Sequence, residues 1–553
     1  MAEKTEETAR ELANRYWEGL LGLDPLLATL VGDERFDDQL PDPSEAGLAR
    51  RKDFNEGALG DLSKLERSDL DLDLRTTLDI LEAAARRELD TIEYRLDRLQ
   101  AVTHLFGPGN LLAELGSLQR ADTPERLEKY VARLSAFPEY LGAVGEIAEE
   151  GAKAGQTAPA LVVDRSIAQV ERLLELAPED SPGVAPIPED RVDDRDRVAG
   201  VLRNTVWPAF RRYLDALRAY RPSARESIGL LHLPNGEAMY ASQIRSYTTL
   251  PLEAQPVHDT GREQLAGIQD ERRTIAQRLG HSDAPSALAV HTASGKNTAE
   301  SREALIRLVE EQVRTSWDAA PLFFGRLPKA NCEVKTVEEY REKDVPAAFY
   351  FPPSADGSRQ GIYYINAGDL PQRPLHQLAS ITYHEANPGH HFQISIEQEF
   401  TDRLPLRRFG GLLAGSAFIE GWGLYCERLA EEMGLYADDY ERLGMLDAQG
   451  WRAARLIVDT GIHALGWDRE RAIAQLVEAG PPRQAAEIEV DRYIAWPGQA
   501  LSYMIGQLEI SRLRREAEER EGPRFSLPDF HDGLLAMGSL PLQALRRELE
   551  AAS

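Results

Sequence analysis

Apolar residues recur three and four positions apart through most of this 553-residue chain. That period commits the chain to amphipathic helices packed by one face. Thr5 to Leu20, Leu74 to Leu99, Thr123 to Leu134 and Asp196 to Tyr220 set Leu, Ala, Val and Ile among Glu and Arg in this way. Leu252 to Leu279 and Thr298 to Ala319 repeat the pattern. Pro208 lies inside the fourth segment, where its missing N–H and its ring predict a kink. Residues 177–188 carry prolines at 178, 182, 186 and 188 and read as a long surface loop. The expectation is a mainly α protein, with an N-terminal helical region over 1–225 and a helical catalytic region over 226–553, joined as one compact unit.

The period switches in one place. Ala347 to Phe351 and Gly361 to Asn366 are short, aromatic and β-branched, and the turn-rich Pro352 to Ser358 separates them. They predict a small antiparallel β-hairpin inserted among helices, just before a segment rich in histidine.

Bulk properties exclude several partners. Hydrophobic residues at 42% and charged residues at 28% describe a soluble globular chain, and a net charge of −28 argues against nucleic acid or an anionic membrane surface. No run of about 18 uncharged apolar residues is present to span a bilayer. The polar, acidic N-terminus lacks the basic and apolar regions of a secretion signal. Cys332 and Cys426 lie too far apart in sequence to read as a ligand pair, and a reduced compartment suits them. The expected location is the cytoplasm.

The chemistry concentrates in His384-Glu385-Ala386-Asn387-Pro388-Gly389-His390-His391 and in Glu420-Gly421-Trp422-Gly423-Leu424-Tyr425. Two or three imidazoles, an adjacent carboxylate and a distal carboxylate are the inventory of a catalytic zinc site. The spacing departs from the common form, in which the second His follows four residues after the first and faces the same ion. Here Pro388 holds that position. On a regular helix His390 is rotated by roughly 240° from His384, and His391 sits about 10 Å further along the axis. Pro388 also removes the N–H that would bond the His384 carbonyl. The helix must therefore bulge or unwind between Ala386 and Gly389, which can return His390 to the side of His384 and leave His391 to point elsewhere, as support or toward substrate. Glu420 lies in a strongly apolar run, where a carboxylate needs a partner, and a metal cation is one. Glu427, seven residues on, projects from the same face two turns later and is the weaker candidate; the alternative reading is a solvated helix residue.

These two motifs resemble the DUF885 family, bacterial proteins of about this length that are grouped with zincin-like metallopeptidases. The resemblance implies a mainly helical, gluzincin-like fold, one Zn2+ per chain held by His384, His390 and Glu420, and Glu385 as the general base. Gly423 stands where the family often has Ala, a small departure. Two further segments are similar to family motifs. Asp459 and His463 fall one helical turn apart, where they can pair, and His463 is a candidate donor to the transition state. Arg492 to Tyr503 surrounds a Pro-Gly turn. Tyr503 is a candidate oxyanion donor, Arg492 can hold a peptide carboxylate, and Tyr493 and Gln499 join it as substrate-binding candidates. Tyr364 and Asn366 on the second strand, with His391, complete that set, the strand aligning a substrate backbone.

The function expected is zinc-dependent hydrolysis of short peptides or small amides, with Glu385 moving the proton from water to the leaving amine. The alternatives are a metal-dependent amidase or esterase acting on a non-peptide substrate, a metal-binding scaffold without turnover, and a helical interaction module without metal.

Overall fold

The computed structural model describes residues 2–337, 342, 347–353 and 360–551. The protein is mainly α, with three short strands among its described residues. Contacts divide the chain into two units. The first comprises residues 1–243, 462–469 and 487–497, and the second comprises 244–461, 470–486 and 498–553. The boundary thus falls between Gln243 and Ile244 rather than at 225/226, and two later segments return to the first unit.

In the first unit the expected helices form where periodicity and caps coincide. Thr123 accepts the Arg126 N–H and starts the helix Pro124–Ser135, with proline at its first position, where no N–H is needed. That helix packs Tyr130 and Leu134 into a core shared with Phe137, Trp207, Phe210 and Tyr213. The helical run does not stop at Pro208, which is the second residue of the helix Trp207–Tyr220. The five residues Leu202–Val206 form a π turn before the helix Trp207–Tyr220, and this wider turn accommodates the proline. Residues 177–188 also depart from expectation. Two 3-10 turns, Pro178–Asp180 and Pro182–Val184, fold the segment back so that Val184 and Ile187 are buried and the Tyr130 hydroxyl donates to the Gly183 carbonyl at 2.8 Å. Those two apolar side chains outweigh the turn residues around them.

In the second unit the predicted hairpin is present. β2 (Ala348–Phe351) pairs antiparallel with β3 (Gly361–Ile365), Ala348 opposite Ile365. The turn expected over 354–358 lies outside the described residues. A further strand, β1 (Cys332–Thr336), runs parallel to β3 on its other side, giving the order β1-β3-β2. β3 is therefore central and β2 lies at an edge. The Tyr363 ring is fully buried and, with Ile365 and Ala348, packs against Val309 and Val313 of the helix Arg302–Ala319 and Leu378 of the helix Leu375–Glu385. This core sets the edge strand beside the His384 helix. The helices Ser416–Glu432 and Ser502–Glu521 touch backbone to backbone, because a Cβ on Gly421 would come within 2.4 Å of Gly506.

Candidate metal centre

The helix Leu375–Glu385 carries His384 in its last turn and ends there, and a second helix, His390–Gln398, starts with His390. The four residues between them form a turn containing a cis Asn387–Pro388 peptide. The distortion required by Pro388 is thus a full break. Gly389 sits so close to the preceding turn that a Cβ would fall 1.8 Å from the His384 carbonyl oxygen. The carbonyl of Pro388 accepts from the Trp422 indole N–H at 2.9 Å and from the Cys426 thiol at 3.3 Å, which ties the break to the Glu420 helix.

This break places His390 beside His384, their rings edge to face with centroids 4.7 Å apart. Glu420 Oε2 lies 3.8 Å from His384 Nε2 and 3.7 Å from His390 Nε2. One donor atom from each residue falls within 4.8 Å of the other two. Ligands about 2.0–2.1 Å from a tetrahedral ion stand roughly 3.4 Å apart, so the donor set suits a single small divalent cation. His391 takes no part in the cluster. Its Nε2 donates to the Ala330 carbonyl at 3.1 Å, and its Nδ1 accepts from the Tyr350 hydroxyl at 2.9 Å. It is fully buried, and these bonds account for both ring nitrogens without a substrate.

Glu427 proves to be more than a solvated helix residue. It is 1% exposed, and its Oε1 accepts from His384 Nδ1 at 2.9 Å, which fixes the tautomer and turns Nε2 toward Glu420 and His390. Ser380 Oγ donates to the other oxygen at 3.0 Å, Gln449 Nε2 approaches it at 3.4 Å, and the Arg452 guanidinium lies 4.0 Å from Oε1. Gly423 makes room for this arrangement, since a Cβ there would come within 2.8 Å of the His384 imidazole. The difference from Ala at this position is therefore not small in this chain.

The electrostatics agree with the geometry. Burial opposes a charged His384, but the carboxylates of Glu420 and Glu427 overcome it and raise its pKa to about 9. Burial opposes ionisation of Glu420, yet His384, His390 and Arg455 together hold its pKa down at about 2. Positive charge is thus favoured between these groups, whether carried by a proton or by a metal ion. Glu385 differs. Burial, with Glu420 adding to it, raises its carboxyl to about 7 against the pull of His384, Arg452 and the Tyr350 backbone N–H. A carboxyl poised near neutrality beside a donor cluster is suited to carry a proton in both directions.

The remaining candidates separate. Tyr503, half-buried, opens the helix Ser502–Glu521 with the Arg455 guanidinium 4.3 Å from its ring centroid. Gln499 is buried in the turn Gln499–Leu501. Tyr364 stacks on Phe349 with centroids 4.9 Å apart, on the central strand, where both edges are paired. Asn366 is fully buried, donating to the Glu342 carbonyl and accepting the Gly368 N–H, so it closes a turn instead of meeting substrate.

His463, Arg492 and Tyr493 belong to the first unit. His463 accepts the Leu230 N–H at Nδ1 and donates from Nε2 to the Tyr493 carbonyl, so its one ring N–H is already given to backbone. The pairing expected of Asp459 gives way to these bonds, and Asp459 accepts the Gly498 N–H instead. Arg492 pairs with Glu489 at 3.1 Å, and the Tyr493 hydroxyl donates to the same carboxylate at 2.7 Å. Arg452 and Arg455 were not singled out by the motifs. The signal available was two arginines, one turn apart, in the otherwise apolar run Trp451 to Val458.

Fold and site together define a mainly helical protein with a two-histidine, one-glutamate centre beside an edge strand. The profile of the family described as "Bacterial protein of unknown function (DUF885)" matches residues 25–549, and the chain belongs to that family. No curated protein matches it. Among solved structures it is similar to the "putative lipoprotein from Colwellia psychrerythraea", at 25% identity and a TM-score of 0.91 over 99% of both chains. It also shares its fold with a "putative lipoprotein of unknown function from Shewanella oneidensis", at 20% identity and a TM-score of 0.77, covering 97% of this chain and 98% of that one. Those descriptions lend no support to a cytoplasmic location. Among the described residues, no helix is long and apolar enough to cross a membrane.

Proposed function

We propose that the protein is a zinc-dependent, zincin-like hydrolase acting on short peptides. The observation that carries this reading is the convergence of His384, His390 and Glu420 within 4.8 Å, next to a Glu385 carboxyl raised to about 7. A divalent ion bound by those three residues would make a water molecule acidic near neutral pH and polarise a substrate carbonyl. Glu385 takes the proton of the attacking water and returns it to the leaving amine, a double duty that its raised pKa permits. Glu427 holds His384 in the ligating tautomer. Tyr503 supplies the hydroxyl for the developing oxyanion, a role His463 cannot fill with its N–H already bonded.

Substrate alignment passes from Tyr364 and Asn366 to β2. The Tyr350 backbone N–H reaches the Glu385 carboxylate, so the side of β2 away from β3 is turned to this carboxyl, and an extended peptide is aligned along it. The test is Glu385→Gln with metal content and peptide cleavage measured together. Retained zinc with cleavage reduced by at least about 1,000-fold is expected. Cleavage equal to that of the parent protein would end the proposal.

A further inference from the structure

We propose that His391 is a positioning residue that locks β2 against the candidate base, so that one helical turn carries both a candidate ligand and the anchor of the substrate strand. The inference rests on the hydrolase reading and deepens it. His391 follows His390 directly, and its ring is fully buried. Nε2 donates at 3.1 Å to the carbonyl of Ala330, two residues before β1. Nδ1 accepts from the Tyr350 hydroxyl of β2 at 2.9 Å. Ser395 Oγ, one turn further along the helix, stands 3.3 Å from Nδ1 and 3.4 Å from that hydroxyl. A Cβ on Gly361, the first residue of β3, would come within 2.6 Å of the same Nδ1. One imidazole therefore reaches β2, β3 and the chain entering β1.

The sheet anchored in this way lies against the helix that ends at Glu385. Ala348, Tyr363 and Ile365 share their core with Leu378 and Ala386, and the Tyr363 hydroxyl stands 3.4 Å from Thr382 Oγ1. Leu378, Thr382 and Ala386 follow one another at four-residue spacing, so the sheet covers the face beside Glu385. Tyr350 stands opposite Tyr363 in the ladder, and its backbone N–H reaches the Glu385 carboxylate. The Tyr350 side chain thus binds His391 while its main chain meets the base. A phenyl ring at 391 would fill the same space. What the imidazole adds is a donor for Ala330 and an acceptor for Tyr350. Moving β2 away from the turn that carries His390 would break both bonds.

The experiment uses the full chain with two variants. Tyr350→Phe removes one hydroxyl from a half-buried ring and leaves Ser395 Oγ beside Nδ1, so it costs the fold little. His391→Phe removes donor and acceptor together. Hydrogen exchange is followed by mass spectrometry in fragments covering 348–351 and 375–385. Both variants should exchange roughly 3- to 10-fold faster in the strand, the worth of one hydrogen bond, and at the parent rate in the helix. Because His391 acts through Tyr350, the double variant should be no faster than His391→Phe alone. Zinc content should stay at the parent level. With the tetrapeptide that the parent cleaves fastest in a random pool, Tyr350→Phe should lower kcat about 10-fold with KM within about threefold. Unchanged strand exchange, additive effects in the double variant, or a loss confined to KM overturns the inference. Exchange is read without substrate, so a parent protein that cleaves no peptide would sink the hydrolase reading and leave the His391 lock to be decided by exchange.

Discussion

Replacing Glu427 by Gln isolates the support of the metal centre from the ligands themselves. The substitution keeps shape and volume and removes one charge from a side chain that is 1% exposed. In the native protein the carboxylate accepts His384 Nδ1 at 2.9 Å and Ser380 Oγ at 3.0 Å. An amide offers one acceptor oxygen in place of two, so it can face His384 or Ser380 but not both. A hydrogen bond to a charged group contributes roughly 1.5–3 kcal/mol, and exchanging it for a neutral one, or losing it, is worth about 10- to 100-fold in metal affinity. Arg452 also loses the anion 4.0 Å away, which adds positive potential where a cation must sit. The assay is zinc competition against a chromogenic chelator at fixed pH, with the circular dichroism spectrum as a check on folding. A zinc Kd within about twofold of the parent would refute the reasoning, because Glu427 would then only fill space.

Two further outcomes follow from the same geometry. Gly423→Ala puts a methyl within 2.8 Å of the His384 imidazole, and overpacking of about 1–3 kcal/mol should appear as weaker zinc binding; unchanged affinity would mean the ring moves aside without cost. Burial lowers the pKa of His463 to about 3 and that of His104 to about 4, so below about pH 6.5 the unfolded first unit binds protons that the folded unit refuses. The stability held at neutral pH should therefore fall as pH drops from about 6.5 toward 4, by up to about 1.4 kcal/mol per pH unit for each histidine. Urea midpoints measured across that range check it, and a flat profile would contradict it.

Much of the architecture was legible because helical periodicity is local. The break at Pro388 was legible for a stronger reason: a proline cannot supply the N–H a continuous helix needs, so spacing that fails on a straight helix forces a turn. The less legible parts depend on contacts distant in sequence. β1 reads Cys332-Glu333-Val334-Lys335-Thr336, too polar to signal a strand until β3 pairs with it. Glu427 looked like a surface residue because its partners, Ser380, His384 and Gln449, come from two other helices. Asp459 and His463 have the spacing of a pair, but backbone groups far along the chain satisfy both. Residues 177–188 have the composition of a surface loop, and only the buried Val184 and Ile187 show otherwise.

The central claim is that the Pro388 break makes His390, and not His391, the partner of His384. Zinc content of the purified protein, with His390→Ala and His391→Ala measured beside it, tests this most directly. One zinc per chain is expected in the parent protein, with near-complete loss in His390→Ala and retention in a folded His391→Ala. Zinc lost with His391→Ala and kept with His390→Ala would contradict it.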